Sequence, residues 1–385
     1  MRVQASAIGG LFGIAVALAC MAAPAAAVDD GVRAIGPGTV VVRTALGGFI
    51  LGYDIDPEGT EGILSEAFSL PDGHSNVAVE TFDQRTGAII QVIRQQSDTK
   101  NDFATLGVLG THVALTEFEH VKGLFVDRRS YLVSNPVDAN RFTGRWTPPF
   151  GGVEDIITAT SSSLGSANAA FMGMHNVVDD FASYVFVSNV GTNTSGPVFA
   201  IGDPIFNWSN SPVMAYDAAN NRAVLGGSRG CYGCPTTIAT LDLATGALAK
   251  FGGRGRGFVN GIAFDSTTGI ACTTTEDDFS VEFYDLVHGT SRIVRLPGAT
   301  NQLQSGGAVA VDPIHGLFLV GQEFSSTAPA LGSSIQVFDE QGNFVESLNG
   351  FSLPASPANM ALNPSRRSGF VIVTPALSSL QSFSY

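Results

Sequence analysis

The sequence predicts an all-β fold in which repeated four-stranded antiparallel sheets close into a β-propeller. Three observations support this prediction. An apolar strand ending in Asp or Asn recurs at intervals of 48, 47 and 51 residues, at Asp217, Asp265, Asp312 and Asn363, and repeats of about 40 to 50 residues are typical of propeller blades. The first strands are apolar at consecutive positions, so both faces of each sheet need cover. The two ends of the chain also carry complementary parts of one unit.

Each repeat reads as a four-stranded meander. The clearest three begin at Pro212, Asn260 and Gly307, and each has a strand ending in Asp, a turn, a second strand, a loop, a third strand ending in Asp, and a fourth strand. Asp or Asn before turn-forming residues predicts a hydrogen-bonded bend. The glycines in ATG, QGN and VHG supply the positive φ of tight hairpins.

A closed ring hides both faces of every sheet, whereas an open array leaves two apolar faces bare. The final segment SSLQSFSY aligns with the third strand SSIQVFD and leaves its blade without a fourth strand. We expect TVVVRT, Thr39 to Thr44, to complete that blade.

The first half of the chain is less regular. GGFILGYDIDPEGTEGILSEAF and NVAVETFDQRTGAIIQVI read as the two hairpins of a first blade. The strand, Asp, turn and strand pattern is expected again at Asp127 and Asp180, and residues 135–152, with Trp146, read as an insertion. Seven blades fit best, and six are the alternative.

The first 27 residues match a secretory signal, with a cation at Arg2, an apolar stretch and small residues before cleavage after Ala27. Residues 28–385 are then a single propeller domain, secreted or periplasmic. No second apolar segment reaches the roughly 20 residues of a membrane span, and we expect a soluble monomer. Loss of Arg2 takes the net charge from -14 to -15, a surface that repels polyanions such as nucleic acid.

The sequence RGCYGCP places Cys231 and Cys234 at CxxC spacing. In an oxidising compartment this predicts a local disulfide across a turn, with a redox role as the alternative. Pro235 stands where a c-type haem motif requires His, and no second ligand pair lies nearby for zinc.

The phrases TTIATLDLATGALAKF, FSVEFYDLVHGT and SSIQVFDEQGNFV resemble repeats of the YVTN-type and NHL-type propeller families, over about residues 210–351. Those families include binding proteins, lactonases, lyases and scaffolds, so the resemblance implies a fold rather than an activity. VNGIAFD, Val259 to Asp265, is similar to a segment of gluconolactonase-like and strictosidine-synthase-like propellers. That similarity implies a calcium-like metal at Asn260, although GGAV follows where those families carry an acidic residue.

Polar residues at the starts of first strands are expected to meet around the central channel. The candidates are His74, Asn76, His175, Asn176, Asn260 and Asn359. Such amides and imidazoles orient a polar ligand or hold a divalent cation, and His74 or His175 is a candidate general base. The alternative is that they bond neighbouring backbone or channel water. The cofactor therefore stays open, with calcium or another divalent metal as the candidate.

The stretch FGGRGRGF reads as an interblade connection at a mouth of the channel. Its glycines permit close backbone approach, and Arg254 and Arg256 offer planar donors suited to a carboxylate. The alternative is that both arginines pair with local acids. We therefore predict a propeller that binds a carboxylate-bearing ligand or a protein partner at the channel mouth. The alternative is a lactonase-like hydrolase, or a lyase or isomerase acting on a small acid.

Overall fold

Nearly all the regular structure of this chain is β-strand. The structure is a computed structural model, and it describes residues 35–55, 60–69, 75–95, 103–109, 112–121, 124–134, 144–146, 155–162, 168–177, 180–189, 194–206, 213–228, 233–275, 280–297, 306–322, 333–351, 360–373 and 378–385. Within these ranges the helical segments are 3-10 turns at Pro204–Phe206 and Pro364–Arg366, and no helix there has the length and apolarity of a membrane span.

The described strands form seven four-stranded antiparallel sheets, here numbered I to VII. The first strand of the chain is β1 (Gly36–Arg43), which belongs to sheet VII. Sheet I contains β2 (Phe49–Ile55), β3 (Glu61–Ser69), β4 (Ser75–Asp83) and β5 (Ile89–Gln95). Sheet II contains β6 (Phe103–Leu109), β7 (His112–Val121), β8 (Leu124–Ser134) and β9 (Gly144–Trp146). Sheet III contains β10 (Asp155–Ser162), β11 (Asn168–Val177), β12 (Asp180–Asn189) and β13 (Thr194–Ile201).

The second half of the chain follows the same order. Sheet IV contains β14 (Val213–Asp217), β15 (Arg222–Ser228), β16 (Pro235–Asp242) and β17 (Leu248–Arg256). Sheet V contains β18 (Val259–Asp265), β19 (Ile270–Thr275), β20 (Ser280–Asp285) and β21 (Thr290–Arg295). Sheet VI contains β22 (Gly306–Asp312), β23 (Leu317–Gln322), β24 (Ser333–Asp339) and β25 (Phe344–Phe351). Sheet VII contains β26 (Met360–Asn363), β27 (Ser368–Val373), β28 (Ser379–Ser384) and β1.

Each first strand contacts the first strand of the next sheet, from β2 through β22 to β26, and β26 contacts β2 of sheet I. The first strands therefore lie innermost and the fourth strands outermost. The all-β propeller class and the four-stranded antiparallel sheets are confirmed.

Sheet VII joins the two ends of the described chain. Strand β1 pairs antiparallel with β28, with Val42 opposite Leu380 and Arg43 opposite Ser379. Val40 N–H also donates to Ser382 Oγ at 3.2 Å. The strand expected at Thr39 to Thr44 thus supplies the fourth strand of the final sheet.

Both faces of the sheets are covered, as the consecutive apolar residues predict. On β20, Val281 and Phe283 pack toward sheet VI, whereas Tyr284 packs toward sheet IV. The Phe283 ring meets Phe318 of sheet VI edge to face, with 5.5 Å between centroids, a favoured aromatic geometry. Burial of these faces between neighbouring sheets is the main source of stability.

The predicted Asp turns occur at one edge of the sheets, where first strand passes to second and third passes to fourth; we name it the turn edge. At Asp265, Oδ1 accepts from Thr267 N–H at 2.8 Å, and the carbonyl accepts from Gly269 N–H at 2.8 Å. Gly269 has φ +75°, where a side chain would be strained. The opposite edge, which carries the second-to-third-strand loops and the passages between sheets, is named the loop edge.

Two expectations in the first half were wrong. Asp127 lies inside the continuous strand β8, and Asp180 begins the third strand β12 instead of ending a first strand. Sheets II and III have second and third strands of ten or eleven residues joined by only two residues, so the repeat pattern was matched to the wrong hairpin. Trp146 lies in strand β9 within residues that were read as an insertion.

Candidate functional site

The arginine and glycine stretch belongs to a strand. Strand β17 continues through Arg256, which pairs with Pro235 of β16, and only Gly257 and Phe258 separate it from β18. The expectation of an interblade connection at the channel mouth was therefore wrong. The glycines suggested a turn, but pairing with β16 keeps the backbone extended, so Arg254 and Arg256 lie on the outermost strand of sheet IV, at the loop edge.

A buried carboxylate of the next sheet fixes this part of β17. Glu282 on β20 is fully buried. Its Oε1 accepts from Arg254 N–H at 2.8 Å, and its Oε2 accepts from Gly255 N–H at 2.8 Å. A buried carboxylate needs such donors, because an unpaired charge there is very costly. Glu282 thus fastens the end of sheet IV to sheet V.

Two hydroxyl groups complete the shell around Glu282. Tyr284 donates to Oε2 at 2.6 Å, and Thr236 Oγ1 lies 3.1 Å from the same oxygen. Burial, followed by the nearby charge of Glu282, raises the pKa of Tyr284 well above its usual value. The tyrosine therefore remains protonated and available as a donor.

The glycines allow the strand to approach this shell. A Cβ at Gly253 would lie 2.2 Å from the Tyr284 hydroxyl and 2.3 Å from Thr236 Oγ1. A Cβ at Gly255 would meet Thr275, Thr236 and Glu282 at 3.0 to 3.2 Å. The ladder between β16 and β17 also shifts register here. Small residues are thus required wherever β17 bends toward the carboxylate.

Both arginine side chains are exposed, and Gly255 between them is buried. Arg256 Nη1 donates to the Gly233 carbonyl at 3.2 Å, which leaves further guanidinium N–H groups for a ligand. Among the salt bridges between described residues, none involves Arg254 or Arg256. The nearby acid, Glu282, is bound to backbone N–H groups instead.

Sequence reasoning missed Glu282, although a signal was present. Glu282 and Glu80 each stand three residues before a turn aspartate, in otherwise apolar third strands. Glu80 is also buried, and it accepts from Ala45 N–H at 3.0 Å, in the segment that enters sheet I. Glu66 of β3 accepts from Leu46 and Gly48 N–H, both at 2.9 Å. A lone glutamate in an apolar third strand therefore indicates a clasp on the incoming chain.

Asn260 lies on the innermost strand β18, as expected, and its side chain is exposed. The ladder to β19 shifts between Val259 and Gly261, so Asn260 occupies a bulge, a feature that re-aims a side chain. Strands β2 and β10 bulge at corresponding places, at Leu51 and Thr158. The bulge position thus recurs, but it does not form a ring of amides.

The remaining predicted residues are not all on first strands. Asn76 lies on the third strand β4, and His175 and Asn176 lie on the second strand β11, so their expected placement on first strands was wrong because the hairpins were assigned out of phase. His74 and Asn359 lie outside the described residues, and their predicted roles stay predictions.

Metal and sulfur sites give a limited picture. Within the described part of the chain, no group of three or more His, Cys, Asp or Glu side chains is placed to hold a metal ion. Cys234 is disulfide-bonded, and because Cys231 lies outside the described residues, the pairing of these two stays a prediction. Cys272 is free and buried, and burial raises the pKa of its thiol.

Comparison with known proteins supports the fold alone. No family model and no curated protein matches the chain. Among solved structures, the chain is similar to the one titled "Structure of U3-55K", with a TM-score of 0.60 and 12% identity over 91% of this chain and 100% of that one. It is also similar to "Crystal structure of RRP9 WD40 repeats", with a TM-score of 0.59 and 13% identity over 91% and 99% of the two chains. Both are WD40 propellers.

Proposed function

We propose that this chain is an exported propeller that binds a carboxylate-bearing ligand through Arg254 and Arg256. The observation that carries the proposal is the pair of exposed guanidinium groups two residues apart on a backbone held by buried Glu282. Guanidinium groups bind carboxylates through paired N–H donors. An anchored strand lowers the entropy lost on binding.

The position of the pair sets the site at the rim of the molecule. Strand β17 is the fourth strand of sheet IV, so a ligand bound by both arginines lies at the loop edge between sheets IV and V, away from the innermost strands. Export rests on the signal pattern of residues 1–27, with Arg2 before an apolar stretch and small residues up to Ala27. Monomeric, soluble behaviour is part of the same proposal.

The finer family assignments also remain hypotheses. The resemblance to YVTN-type and NHL-type repeats rests on residues 210–351, and the resemblance to gluconolactonase-like propellers on Val259 to Asp265. The alternative function, a lactonase-like hydrolase, lyase or isomerase, depends on His74 and His175, and neither side chain is described.

Binding of citrate and of a tetraglutamate peptide to residues 28–385, measured by isothermal titration calorimetry, tests the proposal. We expect the variant R254A/R256A to weaken binding at least tenfold, and R254K/R256K to weaken it less because charge remains while the planar fork is lost. The control R85A/R366A removes two exposed cations from turns at the opposite edge and should bind normally. Equal binding by wild type and R254A/R256A, or no binding of either probe to wild type, overturns the proposal.

A further inference from the structure

The outer edge of β17 has no neighbouring strand in sheet IV, whose order is β14, β15, β16 and β17. An edge strand presents unpaired N–H and C=O groups that accept a further strand. Glu282 already binds the N–H groups of Arg254 and Gly255, so the available length is residues 248–253. Gly252 is exposed, and a Cβ there would meet nothing within 4 Å. Another backbone can therefore approach closely at this point.

A groove runs beside this edge, between β17 and sheet V. Its volume is about 200 Å³, and its walls include Lys250, Phe251 and Gly252 on one side and Leu286, Thr290 and Ser291 on the other. Pockets that enclose small molecules have roughly 300–1,000 Å³. A groove of this size suits one or two side chains of an extended segment better than an enclosed ligand.

The charge of β17 selects the kind of segment. LAKFGGRGR contains three cations and no acid, in a chain of net charge -14. Lys250 forms a salt bridge with Asp203, so the arginines offer the cations that face a ligand. Asp285 also lines the groove, but its carboxylate accepts from Val287 and His288 N–H. A second copy of β17 would bring like charges to the same edge, which disfavours self-pairing.

We infer that residues 248–253 of β17 accept an extended acidic segment of a partner protein as a fifth strand of sheet IV. Main-chain hydrogen bonds provide affinity, one side chain enters the groove, and acidic residues at alternate positions meet Arg254 and Arg256. This inference rests on the proposed function and names its partner class.

Fluorescence anisotropy with a labelled eight-residue peptide of alternating Glu and Thr tests the inference on residues 28–385. We expect at least tenfold weaker binding for G252V, whose side chain fills the groove, and for a peptide N-methylated at every second residue, which loses main-chain donors. The control G202V also places a side chain in open space, at an exposed position after β13, and should bind normally. A Lys and Thr peptide should not bind.

The outcomes separate the two proposals. If the Glu and Thr peptide binds in an arginine-dependent way but neither G252V nor N-methylation weakens it, strand addition is overturned and the carboxylate-binding function stands. The same conclusion follows if citrate binds and the peptide does not. If neither probe binds wild type, both proposals fail.

Discussion

Tyr385 donates its hydroxyl proton to Asp312 Oδ2 across 3.0 Å, and this bond joins sheet VII to sheet VI. Asp312 is fully buried. Its Oδ1 accepts from the N–H groups of Ile314 and His315, and Oδ2 also lies 2.7 Å from His315 Nδ1. One carboxylate therefore shapes its own turn and fastens the neighbouring sheet.

The variant Y385F removes this bond and keeps the ring. We expect the free energy of unfolding to fall by about 1 kcal/mol, because Asp312 retains its other donors. Urea denaturation followed by fluorescence measures the change. S384A, beside it on the same strand, should stay within about 0.5 kcal/mol of wild type. No loss in Y385F would contradict the role given to this bond.

Loss of the Glu282 carboxylate should cost more. In E282A the N–H groups of Arg254 and Gly255 lose their acceptor near the interface of sheets IV and V, and we expect a loss of about 3 kcal/mol in the free energy of unfolding. The control E346A removes a glutamate on the outermost strand β25 and should change stability by less than about 0.5 kcal/mol. Similar denaturation midpoints for the two variants would show that the clasp is unimportant.

Neighbouring glycines on β17 should respond in opposite ways to alanine. G253A places a Cβ against Tyr284 and Thr236 and should destabilise the chain by about 1–3 kcal/mol. G252A places its Cβ in open space and should be neutral or stabilise by up to about 1 kcal/mol, since glycine is unfavourable within strands. Thermal melting of both variants checks the difference, and a destabilised G252A together with a neutral G253A would refute it.

Acid should weaken the turn edge. Hydrogen bonds from backbone N–H groups of the turns are the largest cause that lowers the pKa of Asp83, Asp242 and Asp285. In the unfolded chain aspartate titrates near a pKa of about 3.9. The contribution of these turns is therefore complete above that pH and is lost as the pH falls through the lower pKa of the folded state.

The variant D83N/D242N/D285N tests this directly. It should be less stable than wild type at pH 6, and its urea midpoint should depend less on pH between pH 6 and pH 3. The control E346Q removes a carboxylate outside these turns and should keep the slope of wild type. A triple variant with an unchanged pH profile would show that the turn aspartates do not couple folding to protonation.

Local chemistry explains which parts of the fold were predictable. Turn aspartates such as Asp265 act on the next few residues, so their hairpins and the pairing of β1 with β28 followed from the sequence. Asp127 misled because the same residue type also fits inside a long strand. Glu282 and Arg254 are 28 residues apart and meet only when two sheets pack, so this contact required the tertiary structure. The placement of Arg254 on the rim, instead of the channel mouth, depended on that contact.

The hydrogen bond between Val40 and Ser382 spans 342 positions of the chain. Contacts of such sequence separation form slowly, because the entropy of loop closure must be lost before they stabilise anything. Sheets I to VI can pair locally, whereas β1 must wait for β28. We therefore expect a late folding step at sheet VII, during which the apolar faces of sheets I and VI are transiently open to solvent and to aggregation.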